Sequence, residues 1–118
     1  ANDCRSVADN LEEPQEMKLK AGVNIVGIQP ELMIGLMAAE TVYTKLGFEL
    51  VVTSVLDGTH SETSLHYSGN AADLRTRDFP PLMGQTARDM IAKALPNDFD
   101  VILEGDHIHL EFQARKRA

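Results

Sequence analysis

Two clusters of histidine and carboxylate residues have the types and spacing that chemistry requires. The segment 64–73 reads S-x-H-x-x-G-x-A-x-D and carries Ser64, His66 and Asp73, and the second cluster is Asp106-His107-Ile108-His109. Imidazole nitrogen and carboxylate oxygen suit Zn²⁺, and three such ligands beside a spare carboxylate make a hydrolytic zinc site with water in the fourth position. A hydrogen-bonded His66–Asp73 pair without a metal is the plain alternative.

The second cluster leaves the ligand set open on geometry alone. In an extended strand His107 and His109 share a face, so both could bind a metal with His66, giving three histidines and Asp73 or Asp106 as a fourth ligand. Glu104 and Glu111 rival Asp106 as a general base, and Glu111 has the same strand parity as the two histidines. Strand geometry therefore favours Glu111 as the stronger of these two rivals.

These residues resemble the M15 family of zinc peptidases. That family includes D-Ala-D-Ala carboxypeptidases and dipeptidases, and the L-alanyl-D-glutamate endopeptidases of phage endolysins. The segment 64–73 matches S-x-H-x-x-G-x-A-x-D at every specified position, and Asp106 to His109 matches the later D-x-x-H. With the order of the surrounding elements, the resemblance runs from about Ile28 to Phe112.

The resemblance implies one zinc ion per chain, bound by His66, Asp73 and His109. It implies that Asp106 is the general base and that His107 is a neighbour that steadies the site or the oxyanion. The fold it implies is α+β, hedgehog/DD-peptidase-like: a small antiparallel sheet that carries the zinc site and packs against two main helices.

One departure from the family concerns the binding of substrate. Members often carry an arginine upstream of the first histidine ligand, which binds a substrate carboxylate or assists at the carbonyl, but residues 48–73 contain no Lys or Arg. Arg75 and Arg77 follow the aspartate ligand and are expected to substitute, with His60 as the next candidate. Ser64 completes the substrate-binding candidates and is placed to hold the histidine loop by a hydrogen bond.

The elements that position these residues can be predicted from proline, glycine and apolar spacing. Pro30 opens a helix over 31–46 and Gly47 is placed for its C-cap. Further segments are predicted as follows: an extended arm or short strand over 17–28, strands over 48–54, 71–75, 101–104 and 107–112, a turn at 105–106, and a second helix from Pro80 or Pro81 to about Leu95.

The first helix carries an apolar stripe that predicts a largely buried element. Leu32, Leu36, Ala39, Tyr43 and Leu46 recur at spacings of three and four. Three more apolar residues, Met33, Met37 and Val42, widen the stripe. This methionine-rich face is expected to be core, with a partner-binding groove as the lesser alternative. On the second helix the core face is expected to comprise Met83, Ala87, Met90, Ile91 and Ala94.

Composition bounds the class of protein. At 118 residues we expect one domain over 1–118, with 1–16 and 114–118 peripheral. The formal net charge of −7 argues against a nucleic-acid partner, and no apolar run is long enough to span a membrane. The single Cys4 excludes an intrachain disulfide. A monomer is expected.

The leading expectation is a zinc metallopeptidase that hydrolyses peptidoglycan stem peptides, of the D,D-carboxypeptidase or L-alanyl-D-glutamate endopeptidase type. No signal peptide is recognisable, so we expect a protein that is cytoplasmic until it is released to the cell wall, as a phage endolysin is, or one exported by a route that this chain does not show. The alternatives are a non-catalytic zinc-containing binding or assembly module on the same fold and, more weakly, a zinc-free structural domain.

Overall fold

The computed structural model describes residues 17–55 and 69–113. Five strands and two helices lie in these two ranges. They are, in chain order, β1 (Lys18–Leu19), α1 (Pro30–Leu46), β2 (Val51–Ser54), β3 (Ala71–Arg75), α2 (Met83–Ala94), β4 (Phe99–Glu104) and β5 (His107–Phe112). The predicted tails 1–16 and 114–118, and the loop with the first histidine motif, lie outside the described residues.

The strands form one sheet in the order β1-β2-β3-β5-β4. The pairs β2–β3, β3–β5 and β4–β5 are antiparallel, whereas β1 pairs with β2 in parallel. The α+β class with two main helices is therefore confirmed, but the sheet is mixed rather than wholly antiparallel. The exception arises because the helix α1 connects β1 to β2 and returns the chain to the same end of the sheet, so the two strands run in the same direction.

Both helices pack on one face of the sheet and leave the other face to polar residues. Ala72 and Leu74 of β3, and Ile108 and Leu110 of β5, are fully buried in the same core as the helices. Successive side chains of a strand alternate between faces. The intervening polar residues of β3 and β5 therefore lie on the opposite face, here called the polar sheet face.

The helix α1 begins and ends as the sequence predicts. Pro30 occupies its first turn, and Gly47 ends it in the left-handed region at φ 87° with its N–H directed to the carbonyls of Tyr43 and Thr44. Leu32, Leu36, Ala39, Val42 and Tyr43 are buried. The widened stripe is wrong at one position: Met37 is 57% exposed, because no other described element covers that side of the helix.

The helix α2 begins two or three residues later than predicted. Leu82 adopts a left-handed φ of 73°, which no helical residue can, so the chain turns after the prolines and the helix starts at Met83. Ala87 and Ile91 are buried as expected, whereas Ala94 is exposed. Of the described residues, none belongs to a helix long and apolar enough to cross a membrane.

Candidate metal and acid–base site

The register of β3 and β5 brings the candidate aspartate and histidine ligands face to face. Asp73 lies directly opposite His109, and Arg75 lies opposite His107. The His109 Nδ1 and the Asp73 Oδ1 are 3.1 Å apart, with both side chains more than four-fifths buried. The two motifs, 36 positions apart in sequence, therefore meet through strand pairing on the polar sheet face.

A second carboxylate holds the far side of the His109 ring. The Glu111 Oε1 lies 2.8 Å from the His109 Nε2. The hydrogen bond to Asp73 raises the pKa of His109 to about 9, assisted by Glu111 and opposed by partial burial. Glu111 is thus committed to the imidazole, which makes it a positioning group for His109 rather than a free base.

His107 lies between carboxylates of its own. Its Nδ1 is 3.0 Å from the Asp106 Oδ1 and its Nε2 is 2.9 Å from the Glu104 Oε1. The Nε2 also lies 3.8 Å from the Asp73 Oδ1. Desolvation works against the charged ring, but the hydrogen bonds and charges of these carboxylates prevail and raise the pKa of His107. The raised pKa favours the protonated imidazolium form of His107, whose charge lies beside Asp73.

Asp106 occupies the two-residue turn between β4 and β5, as the sequence predicts. Its backbone carbonyl accepts a hydrogen bond from the Thr76 N–H at 3.2 Å, which fixes the turn against the end of β3. The side chain is 84% exposed. The hydrogen bond from His107 holds the pKa of the Asp106 carboxyl below its usual range. Asp106 is therefore an ionised and solvent-accessible proton acceptor at neutral pH.

A polar pocket of about 230 Å³ opens beside these groups. Asp73, Asp106 and His107 form one part of its lining. The rest comprises Thr53 and three cations, here called the cationic wall: Lys20, Arg75 and Arg77. Both arginines named as substrate-binding candidates thus face the same cavity as the candidate base.

Sequence reasoning missed Lys20 and Thr53. Lys20 reaches the pocket because its N–H continues the parallel pairing of β1 with the Val52 carbonyl at 2.9 Å. The Thr53 hydroxyl donates to the Asp73 carbonyl at 3.3 Å and so joins β2 to the ligand strand. No local motif marks either residue, because the strand order alone places them there.

His60, Ser64 and His66 lie outside the described residues, so their predicted roles stay predictions. The structure does explain the glycine of the first motif. Gly69 has φ 78°, and a Cβ there would stand 2.5 Å from the Gly27 carbonyl oxygen. Its own carbonyl accepts from the Gln29 N–H at 3.0 Å. The chain between the histidine and the aspartate is therefore fixed at a point that only glycine fits.

The donor atoms that are described suit a zinc ion. In the metal-free protein the His109 ring, whose pKa is raised, donates Nδ1–H to Asp73 across 3.1 Å and Nε2–H to Glu111 across 2.8 Å. Loss of the Nδ1 proton would leave a nitrogen lone pair beside the Asp73 oxygen while Glu111 keeps the Nε2–H, which is how metal-binding histidines are commonly held.

Two donors do not complete a zinc site. In residues 17–55 and 69–113 no group of three or more His, Cys, Asp or Glu side chains is arranged to hold a metal ion. A zinc ion here would take its third ligand from beyond these ranges, where His66 lies, or from a shift of His107. Both ligand sets considered from the sequence remain predictions.

Comparison with known proteins adds no relative: no protein-family model matches the chain, and no curated protein matches it.

Proposed function

We propose that this chain is a zinc-dependent peptidase that hydrolyses peptide bonds in peptidoglycan stem peptides and acts at the cell wall, as a phage endolysin or a bacterial wall enzyme. The observation that carries the proposal is the meeting of Asp73 and His109 across two strands, with Asp106 and His107 at the next turn beside the same pocket. A structural ion pair alone would not need a cavity, an exposed carboxylate and a cationic wall around it.

Zinc would be held by His66, Asp73 and His109. When bound, it lowers the pKa of a water molecule towards about 7 and polarises the scissile carbonyl. Glu111 fixes the ring of His109 through the 2.8 Å contact to Nε2, so that Nδ1 faces Asp73. The remaining catalytic work falls to the side chains at the β4–β5 turn.

Asp106 is the proton carrier in this proposal. Its carboxylate is ionised, so it can accept a proton from the attacking water and deliver it to the leaving amine. Turning from His107 to the substrate breaks the hydrogen bond that lowers the pKa of Asp106, which makes the carboxylate a stronger base. Its 84% exposure leaves it free to turn from His107 to a bound substrate. His107, whose pKa is raised, can donate an N–H to the developing oxyanion.

The cationic wall indicates what the substrate carries near the scissile bond. The cationic wall shares the lining of the pocket with Asp73 and Asp106, and arginine binds a carboxylate strongly. A peptide with a free carboxylate, either terminal or on a side chain, meets this requirement. In this proposal the arginine missing from residues 48–73 is replaced by Arg75 and Arg77, which follow that stretch, and by Lys20 next to β1.

The test is digestion of purified peptidoglycan, with the new termini identified by mass spectrometry. Asp106→Asn should keep its zinc and lose about 10²–10⁴-fold of the rate, because an amide keeps the shape but cannot accept the proton. Glu111→Gln is the matched control: it retains an oxygen acceptor for His109 and should lose far less.

Two outcomes would contradict the proposal. Zinc binding without any hydrolysis would favour the non-catalytic binding or assembly module. A dead Glu111→Gln beside an active Asp106→Asn would move the base to Glu111.

A further inference from the structure

The helix side of the molecule, opposite the polar sheet face, carries an apolar groove between α1 and α2. Its floor comprises Ala38, Thr41, Val42, Met90 and Ala94, and its volume is about 390 Å³. Two lysines, Lys45 and Lys93, also line it, each in the last turn of its helix. The groove is therefore apolar along its length and positively charged at one end.

The half of α1 that lies before the groove carries the opposite features. Ile34 and Met37 are 59% and 57% exposed, although both are large apolar side chains. Glu31 stands one turn before Ile34, in the first turn of the helix. The first half of the helix thus has exposed apolar side chains and an acidic residue at its end. The second half borders the apolar groove and has a basic residue at its end.

These features are symmetric about Ala38. Glu31 lies seven residues before Ala38 and Lys45 seven residues after it, which is about 10 Å on each side at the helical rise. Ile34 and Val42 lie four residues before and after it. A two-fold axis that crosses α1 at Ala38 therefore brings Ile34 of one copy opposite Val42 of the other, and Glu31 opposite Lys45.

We propose that this protein forms a two-fold symmetric homodimer through antiparallel packing of α1 against α1 of a second copy. Ile34 of each subunit enters the groove of the other opposite Val42, and Glu31 pairs with Lys45 of the partner subunit. The small side chain of Ala38 at the crossing point allows the helices to approach to about 8–10 Å.

Charge selects a second copy over other occupants of the groove. The pairing of Glu31 with the lysine end of the groove forms twice, once at each end of the interface, because a two-fold interface is self-complementary. Helices packed antiparallel also place the negative end of each beside the positive end of the other. In this proposal the protein is a dimer, whereas the sequence predicted a monomer. The dimer leaves the pocket on the polar sheet face of each subunit open.

Sedimentation equilibrium of the full chain tests the proposal. The wild-type protein should change from monomer to dimer as its concentration rises, over a range centred on about 1–100 μM. Ile34→Lys places a cation in the apolar groove of the partner subunit, beside the lysines at its end, and should weaken the dimer by about 100-fold or more. Ile102→Lys is the matched control: Ile102 is 44% exposed and pairs with His109 on the polar sheet face, away from the helices, so the dimer should be unchanged.

A charge exchange gives the sharper result. Glu31→Lys faces Lys45 of the partner subunit and should weaken the dimer by about 10-fold, and the double variant Glu31→Lys/Lys45→Glu should restore it to within about 3-fold of wild type. All these sites are at the surface, so circular dichroism should show unchanged folding. A wild-type chain that stays monomeric throughout, or a double variant no stronger than Glu31→Lys, overturns the proposal.

Discussion

The metal-free protein should lose stability as the pH rises through the titration of His109. Its imidazole lies between the carboxylates of Asp73, at 3.1 Å, and Glu111, at 2.8 Å. These contacts raise the pKa of His109 from 6.5 to about 9 in the folded state. Because the folded protein binds this proton more tightly than the unfolded chain does, the stabilisation is complete below about pH 6.5 and is lost as the pH approaches about 9.

The size of the effect follows from the shift of the pKa. A rise from 6.5 to about 9 corresponds to about 3 kcal/mol at most, at 1.36 kcal/mol per unit. Water in the adjoining pocket screens these charges, so we expect about 1–2 kcal/mol of unfolding free energy. The raised pKa of His107 acts in the same direction.

Urea denaturation in the presence of a chelator, at intervals from pH 6 to pH 9.5, measures this loss. His109→Gln removes this titrating group and should leave only the loss that His107 contributes. NMR titration of the His109 ring should report a midpoint near 9 that falls in Glu111→Gln. If wild type and His109→Gln decline in parallel, the proton is not held between Asp73 and Glu111 and the geometry is wrong.

Three further predictions concern the cationic wall, the motif glycine and the strand that carries Asp73. Single alanine substitutions of the three cations of the wall should raise KM for peptidoglycan peptides and leave the zinc content unchanged; full activity in all three would remove the wall from substrate binding. Gly69→Ala should cost about 1–3 kcal/mol in urea denaturation, because its Cβ meets a backbone oxygen. Gly22→Ala is the control: it has φ 89° with nothing within 4 Å and should cost about 1 kcal/mol. Equal losses in the two variants would refute the contact. Tyr43→Phe should cost about 1–2 kcal/mol in the same assay, because the Tyr43 hydroxyl donates a hydrogen bond to the Arg75 carbonyl at 2.7 Å. An unchanged denaturation midpoint would contradict that bond.

Local signals predicted the elements that lie within one stretch of chain. The apolar stripe of α1, its proline start and its glycine end gave the observed bounds to within one residue. Alternation in β5 correctly placed His107 and His109 on the same face of their strand. These features depend on spacing and on single residues, which a sequence displays directly.

Features that depend on strand order could not be predicted in the same way. The approach of Lys20 to Arg75 and Arg77 follows from β1 joining β2 in parallel, and nothing local in residues 17–20 indicates that pairing. The exposure of Met37 follows from where α2 packs, which apolar periodicity does not encode. The approach of Asp73 to His109 similarly required the register of β3 with β5 before it could be recognised.

Zinc content is the measurement that tests the central claim most directly. Purified chain, dialysed against trace metal and analysed by plasma mass spectrometry, should contain one zinc per chain. His66→Ala and His109→Ala should lose nearly all of it, while His107→Ala should retain it. Full zinc in His66→Ala or His109→Ala would contradict the proposed ligand set. Loss of zinc in His107→Ala would favour the site in which both His107 and His109 bind the metal. A wild-type chain that binds no zinc would contradict the proposed function as a whole.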